Sequence, residues 1–411
     1  MSLVPFYADA GGAIYDAPGY RALARSGDDI VSMDERQVIA LPEGSDMVFL
    51  PERPVLVADK KGRQERLAST LYAVAALLPP GYTRTLLPAF ERPDNVAHLP
   101  LFGYTAVALQ NGKPVVAAIR TDDNKKWNPT RYNTADLADK VAVVKQALPN
   151  NRIVEHLSNC ALNWHCATAQ NLFYRRWEAG LPISPVCNAA CLGCISRQPA
   201  ECCPSPQDRI DFAPTPEEIA EVMLFHLEQA PDAIISFGQG CEGEPSLGFE
   251  RAVPAMRRVR EQTTRGMINI NSNAGNTQAI MALTDAGLDS MRVSIISAQE
   301  AVYEAYYRPA YKLTAVEESI RYARAKGVFV SLNLLTFPGL NDREDEVAAW
   351  IDFLARTPVD MIQLRNLNMD PDWLLHALPN GGKPIGVQNW IAAIKKAHPA
   401  IELASFTHYV K

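Results

Sequence analysis

The sequence predicts an α/β protein, in which a partial (β/α)6 TIM-like barrel follows an amino-terminal strand-rich α+β domain. Two observations predict this fold class. From about residue 181 onward, strand-like and helix-like segments alternate about six times, as they do in parallel sheets covered by helices. In the first 150 residues, short apolar runs are separated by turns that contain Pro and Gly, a pattern typical of strands joined by tight turns.

Residues 1–150 are predicted to form an accessory domain, because no catalytic motif is visible there. The segment FGYTAVALQNGKPVVAAIRTD predicts a hairpin with a primed turn at Asn111-Gly112. The segment RLASTLYAVAALLPPG predicts one apolar helix that stops at Pro79-Pro80-Gly81. Residues 151–180 are predicted to connect this domain to the barrel, through a stretch that contains Cys and His.

Residues 181–375 are predicted to form the barrel, and residues 376–411 a helix and strand that complete it. The first strand, GLPISPVC, leads directly into a cysteine-rich loop. The next helix begins with a capping pattern, Thr215 followed three residues later by Glu218. Chemistry in such barrels occurs at the carboxyl ends of the strands. The cysteine-rich loop is therefore expected on the functional face.

Composition restricts the functional classes and the cellular compartment. The 411 residues are 47% hydrophobic, enough for a large core and two domains. The net charge of −6 offers no bulk attraction for nucleic acid. The chain has neither an apolar run long enough for a membrane span nor a signal-peptide pattern at MSLVPFYADAGG, which predicts a cytoplasmic protein.

All eight cysteines lie between residues 160 and 241. A reducing cytoplasm argues against a disulfide framework, so this clustering indicates metal binding. The sharpest pattern is CxxxCxxC, formed by Cys187, Cys191 and Cys194. Three thiolates on a short loop are suited to three irons of a four-iron cluster, and leave the fourth iron open for chemistry. The alternatives are a zinc knob with a distant fourth ligand, or plain loop cysteines.

At these cysteines the sequence resembles the radical S-adenosylmethionine (SAM) superfamily, over roughly residues 180–375. The resemblance implies a [4Fe-4S] cluster whose open iron chelates the amino and carboxylate groups of SAM. An electron from the cluster then yields methionine and a 5′-deoxyadenosyl radical, which abstracts hydrogen from the substrate. It also implies an electron donor such as flavodoxin or ferredoxin.

Further segments resemble the SAM-binding motifs of that family. In FGQGCEGEPS, the core Gly243-Glu244-Pro245 resembles the glycine–glutamate motif, with Glu244 at the SAM ammonium, although Cys241 and Glu242 depart from the usual pattern. The polar strand ends NINSN, RVSII, SLNLL and IQLRN complete the resemblance, and the implied SAM contacts are Asn271, Ser272, Asn273, Ser294, Asn333 and Arg365. Arg365 is also suited to a substrate contact. Arg308 in YYRP is either a partner of the SAM carboxylate or a solvated arginine at a helix end.

Five cysteines remain, and three interpretations of them stay open. Cys160, Cys166, Cys202 and Cys203 form an auxiliary cluster or other metal site; or Cys241 is a hydrogen-atom relay or acid near the substrate; or the five are small buried hydrophobic residues. No cysteine lies beyond residue 241, so the cysteine-rich carboxy-terminal extension known in this family is not present.

The sequence thus predicts a radical SAM enzyme that acts on a peptide, a protein or a small molecule, with nucleic acid disfavoured by the acidic composition. Two rival hypotheses are an iron–sulfur electron-transfer or cluster-carrier protein without SAM chemistry, and a zinc-stabilised interaction module. Neither rival needs the glycine–glutamate motif or the polar strand ends.

Overall fold

The computed structural model describes residues 3–94, 96–99, 103–197 and 207–411. Within these ranges the first half is built from antiparallel strands and the second from a parallel sheet with helices. The antiparallel strands are β1 (Val4–Ala8), β2 (Ile14–Asp16), β3 (Arg21–Ser26), β4 (Asp29–Ser32), β5 (Ile39–Ala40), β6 (Asp46–Pro54), β7 (Leu56–Ala58), β8 (Gln64–Arg66), β9 (Tyr72–Leu77), β10 (Tyr82–Arg84), β11 (Leu87–Pro88), β12 (Tyr104–Gln110), β13 (Lys113–Val116) and β14 (Ala118–Arg120).

The parallel strands are β15 (Glu178–Gly180), β16 (Ile234–Phe237), β17 (Met267–Ser272), β18 (Ser290–Ile295), β19 (Phe329–Thr336), β20 (Met361–Asn366) and β21 (Glu402–Ala404). The helices are α1 (Leu137–Ala147), α2 (Arg152–Leu162), α3 (Ala167–Tyr174), α4 (Pro216–Gln229), α5 (Phe249–Gln262), α6 (Thr277–Asp285), α7 (Glu300–Tyr307), α8 (Leu313–Ala325), α9 (Glu344–Arg356), α10 (Pro371–Ala377) and α11 (Val387–Ala397), with short 3-10 turns at Pro129–Arg131 and Pro245–Gly248.

The amino-terminal strands form three antiparallel sheets. The largest has the order β2-β1-β9-β12-β13-β5, with β6 also paired to β9; β11-β3-β7-β8 with β4 form the second, and β10-β14 the third. The hairpin predicted at Asn111-Gly112 is confirmed, since Gln110 pairs with Lys113 and both turn residues have positive φ. The prediction of a strand-rich first half is therefore confirmed.

The helix predicted over residues 66–81 is wrong, because this segment forms β9 at the centre of the largest sheet. Strand β9 pairs with β1, β6 and β12. Its alanines suggest a helix by intrinsic propensity. Ala73, Ala75 and Ala76 are almost fully buried, and such small side chains also suit a strand covered on both faces. Sheet pairing has therefore overridden propensity.

The second half is a single parallel sheet whose strands follow the chain order from β15 to β21. One or two helices connect each strand to the next. The capping box at Thr215 and Glu218 begins α4 as predicted, and Gly287, with a positive φ, follows the end of α6. The alternation predicted from the sequence is confirmed. The partial (β/α)6 barrel stays a prediction, because the strand pairings define a parallel sheet and not its curvature.

The amino-terminal half docks on the carboxyl ends of the last parallel strands. The Arg84 N–H donates to Asn366 Oδ1 at 3.0 Å, and Asn366 Nδ2 donates to Tyr82 O at 3.1 Å. Asp122 Oδ2 accepts from Ser405 N just after β21, at 2.9 Å. The amino-terminal sheets therefore contact the face on which the functional site is expected. In the part of the chain that the structure describes, no helix is long and apolar enough to cross a lipid bilayer.

Candidate functional site

A cavity of about 630 Å³ lies at the carboxyl edge of the parallel sheet. This volume is within the range of about 300–1,000 Å³ that cofactor and small-molecule sites occupy. Its walls come from the loops after β15, β16, β17 and β20, and from Pro80 and Trp127 of the amino-terminal half. The predicted site residues that line it are Cys160, Cys166, Cys187, Cys191, Cys194, Cys241, Gly243, Glu244, Asn271, Ser272, Asn273, Ser294, Asn333 and Arg365.

The cysteine loop, residues 187–194, lines the cavity and follows β15 after residues 181–186, which form neither helix nor strand, although the sequence predicts a strand there. Its backbone is anchored on the end of α7, because Ala190 N donates to Tyr307 O and Leu192 N donates to Tyr306 O, both at 2.9 Å. Gly193 is needed for close packing, since a Cβ at this position would lie 2.4 Å from Met369 Sδ. The loop thus presents its three thiols from a fixed support.

The surroundings of the three thiols suit a cationic metal centre. Burial raises the pKa of the Cys191 thiol, and the neighbouring Cys194 and Cys187 add to that effect. Such crowded thiols become thiolates when a metal supplies the opposing charge. Arg209 Nη2 donates to Cys194 Sγ at 3.8 Å, the kind of hydrogen bond to a ligand sulfur that tunes an iron–sulfur cluster.

The glycine–glutamate loop, residues 238–244, packs directly against the start of the cysteine loop. Gly243 N donates to Ser184 O at 2.7 Å, and Glu244 N donates to Val186 O at 2.8 Å. A Cβ on Gly243 would lie 2.0 Å from Val186 O, so only glycine allows this approach. The cysteine loop and the glycine–glutamate loop, which the sequence resemblance assigns to one site, are therefore neighbours in the structure.

Both carboxylates of this loop are buried and accept several hydrogen bonds from the protein. Glu242 accepts four backbone N–H bonds, two on each oxygen, which come from residues 183, 184, 238 and 239. Burial raises the pKa of Glu242 to about 7, while these bonds act in the opposite direction. The Glu242 carboxylate therefore ties the first two strand ends of the sheet together.

Glu244 connects the glycine–glutamate loop to the next strand end. Its oxygens accept from Ser272 Oγ, from Ser246 N at 3.0 Å and from Asn273 N at 2.8 Å. Asn273 Nδ2 in turn donates to Asn188 Oδ1 in the cysteine loop, at 2.7 Å. Glu244 is thus held at the cavity wall by donors from the turn that follows it and from the end of β17.

The other predicted strand-end residues also converge. Asn271 Nδ2 donates to Gly238 O at 2.9 Å, and Asn333 Nδ2 approaches Ser294 Oγ at 3.4 Å across paired strands. Arg308 lies elsewhere, because it is the exposed, left-handed residue that ends α7 and is not among the described residues that line the cavity. Cys202 and Cys203 lie outside the described residues.

Sequence reasoning missed Arg292 and Glu178, which line the cavity beside the predicted Arg365. Burial lowers the pKa of Arg292 and brings that of Arg365 to about 10, and the neighbouring Arg292 lowers the latter further. A charged residue inside the apolar strand LDSMRVSII was the available signal. Glu178 is the carboxylate that acts on both guanidinium groups, so their side of the cavity favours an anionic group.

Three of the leftover cysteines lie at the other wall of the cavity. The Cys160 and Cys241 thiols lie close together, so that Cys241 lowers the pKa of Cys160 and Cys160 raises the pKa of Cys241. Cys160 Sγ also lies 3.5 Å from His156 Nε2. Cys166 N donates to Cys160 O at 3.0 Å. The structure thus groups the Cys160 and Cys241 thiols with His156, while Cys166 contacts Cys160 through the backbone, so the predicted auxiliary site of Cys160, Cys166, Cys202 and Cys203 stays a prediction.

The cavity fits both groups that the sequence resemblance implies. For a [4Fe-4S] cluster, the fit is the set of three thiols with the Arg209 donor. For SAM, the fit is the set of buried polar atoms at the cavity wall that have no hydrogen-bond partner within the described chain: Gln207 Nε2, Arg292 Nε, Tyr307 Oη and Asn333 Oδ1. Orphaned buried polar groups are costly, and a polar ligand would satisfy them.

Comparison with known proteins gives one family and several distant relatives. A model of the radical SAM superfamily matches residues 181–351. The chain is 24% identical over 177 residues to the FeMo cofactor biosynthesis protein NifB of Klebsiella pneumoniae, a match that covers 39% of this chain and 37% of NifB. The chain therefore spans little more than a third of that relative's length.

Two solved structures show weak overall similarity. Methylornithine synthase (PylB) has a TM-score of 0.37 and 15% identity, and the match covers 65% of this chain and 74% of that one. SuiB from Streptococcus suis has a TM-score of 0.38 and 10% identity, with 77% and 72% covered. These scores are low, so the assignment depends on the family match and on the residues. Together, the match over residues 181–351 and the cysteine loop with its glycine–glutamate partner show that this part of the chain is a radical SAM domain.

Proposed function

We propose that this protein is a radical SAM enzyme that generates a 5′-deoxyadenosyl radical and uses it to abstract hydrogen from a peptide or small-molecule substrate. One observation carries the proposal: the thiols of the cysteine loop, the Glu244 carboxylate and the polar strand ends line one cavity. When bound, the [4Fe-4S] cluster supplies the electron that cleaves SAM. Cys187, Cys191 and Cys194 would hold that cluster, as in the family.

The chain's own residues would bind and orient SAM. Glu244 offers a carboxylate edge for the ammonium group, held by three donors from the protein. Ser294 and Asn333 sit on adjacent strands at the cavity wall and offer polar contacts for the nucleoside. Arg292 and Arg365 favour an anionic group, which is the SAM carboxylate or a carboxylate or phosphate of the substrate.

The amino-terminal half would close the cavity and contribute to substrate recognition. Pro80 and Trp127 line the cavity, and Trp127 packs on Trp177 at 6.1 Å between ring centroids and on Phe406 at 6.2 Å. This aromatic wall would exclude water from the reacting groups, as a radical intermediate requires. An electron donor such as flavodoxin or ferredoxin would supply the reducing equivalents.

The SAM-binding side of the cavity favours this proposal over an electron carrier. A carrier that only transfers electrons or clusters has no use for the buried Glu244 network or for the orphaned polar atoms of Arg292 on β18 and Asn333 on β19. A zinc-stabilised interaction module also leaves them without a role.

The test is reductive SAM cleavage by the full chain, purified and reconstituted with iron and sulfide without oxygen. The proposal predicts a brown protein with about four irons per cluster site that forms 5′-deoxyadenosine after reduction by dithionite. Cys191→Ala is predicted to lose both properties, and Leu162→Ala, an exposed change on α2, serves as the matched control. Iron binding without 5′-deoxyadenosine formation under any reductant would contradict the proposal and support the carrier.

A further inference from the structure

A second group of metal-ligating side chains lies beside the SAM cavity and has no role in the proposed function. His156 and Cys160 are one turn apart on α2, and Cys241 belongs to the glycine–glutamate loop. One ligand atom from each of the three residues lies within 4.8 Å of the other two. Cys160 and Cys241 are buried, and His156 is half-buried.

The spacing inside this group matches a single tetrahedral ion. With a Zn–N bond of about 2.0–2.1 Å and a Zn–S bond of about 2.3 Å, tetrahedral geometry separates the nitrogen and sulfur ligands by about 3.5 Å. The observed distance between His156 Nε2 and Cys160 Sγ is 3.5 Å. The positions i and i+4 on one helix face produce this pair without distortion, so the helix is already arranged for coordination.

A four-iron cluster suits these three residues less well than one ion does. In such a cluster each protein ligand binds a different iron, which spreads the ligand atoms farther apart than a shared ion does. Charge favours the single ion too. Two thiolates and a neutral imidazole balance a divalent cation, so the buried site is neutral as a whole. Sulfur and imidazole ligands select zinc among the common divalent ions.

We propose that His156, Cys160 and Cys241 bind one Zn²⁺ ion, whose fourth coordination position faces the SAM cavity. Cys160 and Cys241 line that cavity. Cys166 lies nearby, but its sulfur does not belong to the group within 4.8 Å. A zinc site with three protein ligands keeps an open position. That position takes a water or a heteroatom of the substrate, which the ion orients as a Lewis acid.

The experiment measures zinc in the full chain after the cluster loop has been removed as a metal site. In the triple variant Cys187→Ala, Cys191→Ala, Cys194→Ala, we expect one zinc per chain and no iron. Adding Cys241→Ser or His156→Ala is expected to remove that zinc. His165→Asn is the matched control, because His165 is exposed, bonds to Asn133 and has a left-handed backbone that asparagine tolerates.

A second measurement does not depend on the folding of any variant. X-ray absorption at the zinc edge of the wild-type chain, measured with the cysteine loop filled by iron and sulfide, is expected to show one zinc bound by sulfur and nitrogen ligands. Three results would each overturn the proposal: a zinc content that Cys241→Ser does not lower, iron and sulfide retained by the triple variant, or a Cys160–Cys241 disulfide in the protein as isolated. None of these results bears on SAM cleavage, so this site and the proposed function fail separately.

Discussion

The cysteine loop and the glycine–glutamate loop meet at the same cavity, but they are stabilised in different ways. In the glycine–glutamate loop, the Glu242 side chain is 2% exposed and accepts four backbone N–H bonds. In the cysteine loop, Cys187 is exposed, and Arg209 donates to one of the three thiols, Cys194. The fold by itself thus positions the carboxylates, whereas the thiols stay accessible to incoming iron.

The two loops would therefore have different roles in the site. The loop that would contact SAM is preorganised by backbone donors, a condition under which binding energy is not spent on ordering the protein. The loop that would contact iron has one exposed and two half-buried cysteines, so a cluster can be inserted after folding. Mutations in the two loops are therefore expected to have different effects on iron content, SAM affinity and stability.

The largest effect is expected from Cys191→Ala in the cysteine loop. Removing one of three cluster ligands should abolish iron retention and reduce 5′-deoxyadenosine formation to background. The melting temperature of the iron-free chain should stay close to that of the iron-free wild type, because the thiols add little to the fold. Iron analysis and calorimetry test this. A large loss of stability in the iron-free state would show that the cysteine loop stabilises the fold as the glycine–glutamate loop does.

Glu244→Gln is expected to weaken SAM binding while iron is retained. The amide removes the negative charge and turns a donor toward Ser246 N or Asn273 N, which both donate to this side chain. Loss of one charge-assisted bond corresponds to a roughly 10–100-fold lower affinity. The dissociation constant of SAM for the reconstituted protein measures this loss of affinity. Glu250→Gln, which changes an exposed residue on α5, is the control. Unchanged affinity would contradict the role of Glu244.

Glu242→Gln is expected to destabilise the fold with or without iron. An amide NH₂ would face two of the four backbone donors, and this should cost about 1–3 kcal/mol of unfolding free energy. Urea unfolding of the iron-free chain measures the change, again against Glu250→Gln. If Glu242→Gln were as stable as that control, the preorganisation of the glycine–glutamate loop would not depend on its carboxylate.

The smallest effect concerns the junction between the two halves, remote from both loops. His408 bonds to Asp122 at 2.9 Å and contacts Glu402 at 3.1 Å, and the bond to Asp122 raises the pKa of His408. The added stability is therefore complete below the unfolded pKa of about 6.5 and is lost as the pH rises through the raised value. It should not exceed about 1 kcal/mol, because the side chain is partly exposed.

Unfolding curves between pH 5 and pH 9 would show this dependence. In His408→Gln, the free energy of unfolding should differ less between low and high pH than it does in the wild type. His376→Gln, which changes an exposed histidine on α10, should leave that difference unchanged. A wild-type profile that stays unchanged in His408→Gln would show that the junction does not contain this ion pair.

The parallel half of the fold and the cysteine loop could be predicted because their signals are local. Each strand and helix carries its own pattern, and CxxxCxxC lies within eight residues. The error at β9 arose because its alanines have a high helix propensity, and only the pairing with β1, β6 and β12 decides their conformation. Those partner strands are separate segments of the chain, so the local pattern of residues 66–81 does not reveal the pairing.

The rest of the site is assembled from distant parts of the chain. Cys160 and Cys241 meet through the packing of α2 against the loop after β16, and no spacing pattern joins them. Arg292 and Glu178 occupy inward positions of sheet strands and meet only in the folded sheet. The sequence therefore predicted which residue types matter, and the fold decided which of them lie together.

The measurement that tests the central claim most directly is the electron paramagnetic resonance spectrum of the reduced, reconstituted protein with and without SAM. If three cysteines leave one iron open in a cavity that binds SAM, adding SAM will shift the cluster signal, and the shift will be absent in Glu244→Gln at SAM concentrations that saturate the wild type. A cluster signal that SAM does not change in the wild type would contradict the account.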